Sequence, residues 1–237
     1  DTTPEGEQVN IYGNHVGSWN FAATAYLNQW KVKIYYEHYF DDHSQMFFQY
    51  GRWKDGHIGL EITFPKNRFI DTFVYEGLGT KDQTGPMLYD SFWGKFEEQI
   101  SAKDNYYNHY LYQGWQHWGM GIGNPLLPGP IYNKNGQITF ISNRVLAHHI
   151  GFCGSPCQSL SYRMLLSYSR HWGTYDNPLN EIKKQFNSLF EVTYAPQQLK
   201  GWSFTVSGAM DRGSILGNNY GGMLVIRKQG IIKSGNK

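Results

Sequence analysis

No stretch of about 18 consecutive apolar residues occurs in the 237-residue chain, which excludes a transmembrane helix on length. Charge is sparse as well: Asp, Glu, Lys and Arg make up 17% of residues, against roughly 25% in ordinary soluble domains. The net charge of +2 comes from scattered bases, so there is no electrostatic footprint for nucleic acid or for anionic lipid headgroups. Cysteine is nearly absent. The two present, Cys153 and Cys157, lie in Phe152-Cys153-Gly154-Ser155-Pro156-Cys157, a spacing that fits a short hairpin turn and is equally compatible with a disulfide or two free thiols. Two cysteines cannot make a structural zinc site, and the nearby His148 and His149 are adjacent rather than spaced for joint ligation. No metal or cofactor is expected.

Aromatics and glycine are abundant, at 17% and 27 residues. Together with the low charge they favour an all-β chain with many tight turns. Period-two alternation recurs. Trp19, Phe21, Ala23, Ala25 and Leu27 share one face of a strand opposite Ser18, Asn20, Ala22, Thr24 and Tyr26. His57 to Phe64, Ser188 to Tyr194 and Trp202 to Asp211 repeat the pattern, the last with a polar face of small residues. Further strands are expected at Lys31 to Phe40, Phe69 to Leu78, Arg144 to Phe152, Ser161 to Trp172 and Gly221 to Ile232, with a weaker one at Met46 to Tyr50. Several are longer than the usual five or six residues and close to the roughly nine to eleven that a tilted strand needs to cross a bilayer. Asn28-Gln29, Lys54-Asp55-Gly56, Pro65-Lys66-Asn67 and 195–201 read as tight connectors; 79–100, 124–137 and 173–186 read as long ones, with short helices at Glu181 to Phe186 and Phe92 to Ser101. Trp19, Trp30, Trp53, Trp172 and Trp202 fall near strand ends, as an interfacial girdle would place them. The polar run Asp1 to Asn10 follows neither an initiator Met nor a signal peptide, and we expect a processed or partial chain.

Catalysis finds little support in these residues. Glu37, Glu61, Glu76, Glu191 and Asp211 sit on polar strand faces where a hydrolase could pair them. The same positions suit lumen carboxylates paired with Lys33, Arg163 or Arg227. Asp41-Asp42-His43-Ser44 offers too few oxygens for a calcium-type ion, and no nucleophile elbow is present. Gly119-Met120-Gly121-Ile122-Gly123 lacks the Lys and the following helix of a phosphate loop, and reads as close backbone approach. The segment from Asp104 to Gly119, DNYYNHYLYQGWQHWG, is different. It sets aromatic rings beside amides, imidazoles and one acid, a suitable surface for stacking on and hydrogen bonding a sugar. Asp104, Tyr106, Tyr107, His109, Trp115, His117 and Trp118 are its candidate glycan contacts, with Tyr106 to Tyr112 rising to an aromatic rim.

Tyr35-Tyr36-Glu37-His38-Tyr39-Phe40-Asp41-Asp42-His43-Ser44-Gln45-Met46, Pro65-Lys66-Asn67-Arg68-Phe69, the run from Tyr75 to Pro86, Met210-Asp211-Arg212-Gly213 and Leu216-Gly217-Asn218-Asn219 carry a resemblance, as do the aromatic segment and Ile122 to Leu127. Over nearly its whole length the chain resembles the Wzi-type capsule-assembly proteins of Bacteroides-like bacteria. The resemblance implies an antiparallel transmembrane barrel of the bacterial outer membrane, a lectin that binds capsular or surface polysaccharide without transforming it. Its partners would be that glycan, outer-membrane lipid and other outer-membrane proteins, with no nucleic acid. Family members are about twice this length, so residues 1–237 would form one barrel domain incomplete at its N-terminal side, with about ten strands of a larger sheet. A polysaccharide-acting enzyme and a passive porin or structural subunit are the competing expectations.

Overall fold

A computed structural model describes residues 16–41, 55–67, 69–83, 104–109 and 112–230. The chain is all-β. Nine strands form one antiparallel sheet in which each strand pairs with its neighbours in chain order. They are β1 (Gly17–Leu27), β2 (Trp30–Phe40), β3 (Gly56–Thr63), β4 (Thr72–Gly79), β7 (Val145–Cys157), β8 (Leu160–Gly173), β9 (Pro178–Tyr194), β10 (Trp202–Gly213) and β11 (Asn219–Lys228). Between β4 and β7 lies a two-residue hairpin, β5 (Gln116–His117) with β6 (Met120–Gly121), followed by a 3-10 turn at Pro130–Tyr132. Among the described residues β1 and β11 each have one ladder neighbour, so the sheet is open there.

Register fixes which residues share a face. One row runs Ala22, Tyr35, Gly59, Glu76, His149, Ser167, Asn187, Asp211 and Asn219, each opposite the next. This face is polar or small. The other carries Phe21, Ile34, Ile58, Phe190, Val206 and Leu224, each at least 50% exposed. The expected alternation is present, and the apolar faces of 57–64, 188–194 and 202–211 point away from the chain rather than onto one another. Ser18 on β1 and Asp211 on β10 line one cavity on the polar side, so the sheet curls around that face.

Glycine shapes the polar side at one decisive point. Tyr35, Gly59 and Glu76 are in register across three strands. A Cβ on Gly59 would lie 2.0 Å from Tyr35 Cζ. The missing side chain lets the Tyr35 phenol cross β3 and donate to Glu76 Oε1 on β4.

The two ends of the sheet differ. At one end β1–β2 and β7–β8 turn over 28–29 and 158–159 alone, with Asn28 at φ 56°. The opposite end holds residues 104–109 and 112–144 and the buried apolar side chains Leu78, Tyr106, Tyr107, Leu127, Phe140, Val145 and Ala147. Trp30 and Trp202 stand exposed at the first end and Trp19 at the second, while Trp172 is half-buried.

Several sequence expectations are corrected. Residues 173–186 are neither a long connector nor a helix: β9 starts at Pro178 and includes the charged Glu181, Lys183 and Lys184, the two lysines pairing with His171 and Arg170 on β8. The cysteines do not flank a turn. Both lie within β7 as free thiols, separated by a bulge between Gly154 and Cys157, and the chain reverses at 158–159. Within the expected connector Lys54-Asp55-Gly56, Asp55 is buried and Gly56 opens β3, while Lys54 lies outside the described residues. Met46–Tyr50, Trp53 and Phe92–Ser101 lie outside the described residues.

Candidate functional site

Residues 104–109 and 112–143 fold back over the polar face at this end of the sheet, held by amides and one acid. Asn143, fully buried, donates from Nδ2 to Asn105 Oδ1 (2.6 Å) and to the Tyr106 carbonyl (2.8 Å). Its own carbonyl accepts from Thr80 Oγ1 (2.6 Å) and Gln83 Nε2 (3.1 Å). Asn108 repeats the device against Phe140, accepting its N–H at 2.8 Å and donating to its carbonyl at 2.9 Å. Such bonds are what an irregular segment must have to be buried, since each unpaired buried polar group costs about 1–3 kcal/mol.

Asp55 clamps the neighbouring loop. It accepts from the N–H groups of Asp82 (2.9 Å) and Gln83 (2.5 Å) and from the Tyr106 hydroxyl (3.2 Å). Burial pushes its carboxyl up to about 6 although the two backbone donors oppose that shift. Over this polar frame Tyr107 stacks on Trp115 with centroids 5.2 Å apart and meets Phe140 edge to face at 5.2 Å. The Tyr107 hydroxyl accepts the Asn124 N–H at 2.8 Å.

The seven candidate contacts therefore divide. Tyr106 and Tyr107 are buried, and half-buried Trp115 packs against the apolar cluster; these three are scaffold rather than rim. Asp104 and His109 are half-buried. His117 and Trp118 are exposed on the β5–β6 turn, their rings edge to face at 6.2 Å. Trp118 is 83% exposed. With φ of 52° at Trp118 and 79° at Gly119 the turn has the positive φ pair of the type I′ hairpin, a place normally filled by Asn, Asp or Gly. A Trp held there carries strain on the order of 1–3 kcal/mol. The turn is braced beneath: Gly119 N–H donates to Gln116 Oε1 (2.8 Å), and Ile131 N–H donates to the Gly119 carbonyl (2.8 Å). Gly129 packs so closely on this hairpin that a Cβ would lie 2.5 Å from Gly121 N, the backbone approach expected of the glycine run.

Beneath the segment lies a cavity of about 930 Å³. Its sheet wall includes Glu37, His57, Glu76, His149, Ser167, Asn187 and Asp211; its other wall includes Tyr107, Pro125, Leu126 and Leu127. His57 stands between two carboxylates, Nδ1 3.8 Å from Glu37 Oε2 and Nε2 3.5 Å from Glu76 Oε1. Ser18 Oγ donates to Glu37 Oε1 (2.7 Å), His149 Nδ1 and Ser167 Oγ are 2.7 Å apart, and Asn187 Nδ2 donates to Asp211 Oδ1 (2.6 Å). No cluster of three or more His, Cys, Asp or Glu able to hold a metal ion occurs among the described residues. Of the lumen pairs expected from sequence, Arg163–Glu191 is present at 3.4 Å; Glu61 pairs with Lys31 at 3.4 Å, while Lys33 lies over the Tyr35 ring.

Sequence reading missed Asp55, Gln83, Asn108 and Asn143 as the frame and His57 and His149 as cavity residues. Glu37, Glu76 and Asp211 did carry a signal, as acids on a polar strand face. Comparison with protein-family models, with curated proteins and with solved structures returns no match.

Proposed function

We propose that the chain is part of an outer-membrane β-barrel of the Wzi type, which holds capsular or other surface polysaccharide at the bacterial cell surface without transforming it. One observation carries the reading: the sheet is inside out for a protein in water. Its strands run from 8 to 17 residues, put apolar side chains outward, and enclose a polar face with a folded segment at one end. Lipid would cover the outer face, whereas a soluble sandwich would bury it. The edges of β1 and β11, without a further ladder neighbour among the described residues, are where further strands of a larger barrel would join. Glycan contact is assigned to Trp118 and His117, because a strained, braced and exposed indole offers a flat stacking surface at little further entropic cost.

His57 favours a binding role over a hydrolytic one. An acid and its partner must face each other across a glycosidic bond. Here the imidazole occupies the gap between Glu37 and Glu76.

In vesicles made with brominated lipid, the fluorescence of Trp30 and Trp202 should be quenched; unquenched emission overturns the membrane assignment. Binding to immobilised capsular polysaccharide should fall about tenfold on Trp118→Ala, the scale of one interfacial aromatic anchor. Polymer recovered after incubation should keep its length, and shortened chains would establish an enzyme instead.

A further inference from the structure

We propose that the cavity beneath the 104–143 segment is a second glycan site, which accepts a neutral or amine-bearing sugar unit and rejects a uronate or sulfated one. The inference rests on the glycan reading for its ligand class and adds the site and its charge preference. Three observations carry it. The cavity, about 930 Å³, lies at the upper end of the roughly 300–1,000 Å³ usual for small-molecule sites. Its walls are unlike: Pro125 and Leu126, backed by the buried Tyr107 and Leu127, present apolar surface opposite the acids, imidazoles and amides of the sheet. A pyranose ring has the same two-sided character, with C–H groups on its faces and hydroxyls around its edge.

The third observation is the distribution of charge. No Lys or Arg is among the described residues lining the cavity, although Glu37, Glu76 and Asp211 are. Elsewhere on the same face acids do have basic partners, Glu61 with Lys31 and Glu191 with Arg163. Around the cavity the ion pairs of Glu37 and Glu76 run to His57 alone among the described residues. Asp211 is oriented by Asn187 through Oδ1, which leaves Oδ2 to meet a hydroxyl or an ammonium. A carboxylate or sulfate brought among these acids would meet like charge, with no Lys or Arg among the described lining residues to answer it and the His57 imidazole already set between Glu37 and Glu76.

The test uses the full chain in detergent and titration calorimetry with three probes of equal length: chitosan tetrasaccharide, chitin tetrasaccharide and tetragalacturonate. Chitosan and chitin probes should bind at least tenfold more tightly than the galacturonate. Asp211→Asn, which can keep the Asn187 bond, should narrow that gap severalfold, and Glu37→Gln should do the same should the first variant not fold. Leu126→Trp, which fills the cavity, should abolish binding of every probe. Equal or tighter galacturonate binding, a gap unchanged in both charge variants, or no binding by any probe overturns the proposal. Native polysaccharide that is still retained through Trp118 in those cases would leave the lectin reading standing.

Discussion

Two regions use the same residue types in opposite surroundings. In the 104–143 segment, Tyr107, Trp115 and Phe140 pack ring against ring, with Asn105, Asn108 and Asn143 satisfying the backbone between them. On the outer face of the sheet, Phe21, Phe190 and Leu224 stand at least half exposed. The chain supplies a core for the first region and leaves the second exposed. Aromatic content alone, then, does not say where the interior is; the neighbouring amides do, because only they can satisfy irregular backbone once water is removed.

The sharpest way to break the comparison is Phe140→Ala. Removing a fully buried ring should cost about 3–5 kcal/mol, and the loss should be confined to the segment. Hydrogen exchange should show amides of 104–143 opening while β8 and β9 keep their protection. Loss of protection throughout the sheet would mean that segment and sheet form one cooperative unit. On the outer face Val206, 61% exposed, provides the opposite test. Val206→Arg should cost about 2–4 kcal/mol in lipid, where the residue meets hydrocarbon, and within about 0.5 kcal/mol if that face is wet. Denaturant titration in vesicles decides between the two.

A smaller effect is expected from Asp55. Its folded carboxyl lies near 6, raised from 3.8 by burial, so the folded state holds the proton more tightly than the unfolded one. The stabilisation is complete below about pH 4 and is lost as pH rises through 6, by a few kcal/mol at about 1.4 kcal/mol per unit. Asp55→Asn should flatten that slope, read from segment stability at pH 4, 5, 6 and 7. Gly59→Ala should cost about 1–3 kcal/mol by overpacking against Tyr35, while Tyr35→Ser in the same chain should recover part of the loss.

The sheet was legible in the sequence wherever a strand alternates apolar with polar, as Trp202 to Asp211 does. Failure at Pro178–Phe186 has a physical cause: Glu181 and Lys184 are exposed and Lys183 only half-buried, so no apolar burial imposes a period on this part of β9. The site was less legible. Tyr106, Tyr107, Trp115 and Trp118 look alike in sequence, and what separates scaffold from exposed tip is a set of bonds to Asp55, Gln83 and Asn143, far along the chain. No local pattern records such partners. Trp118 was reachable, because His117-Trp118-Gly119 puts a glycine in the turn between two short pairing segments.

The hydrogen bonds joining Asp55, Gln83, Asn105 and Asn143 also set an order in time. The hairpins at 28–29 and 158–159 bring together neighbouring stretches, which close within about 1–10 μs in isolated hairpins. Asp55 and Gln83 are 28 positions apart, Asn105 and Asn143 38, and Gln83 and Asn143 60. Those bonds can form only after β3, β4 and β7 lie side by side, so the frame over the cavity is expected to close late and to be what a slow-assembling variant lacks first.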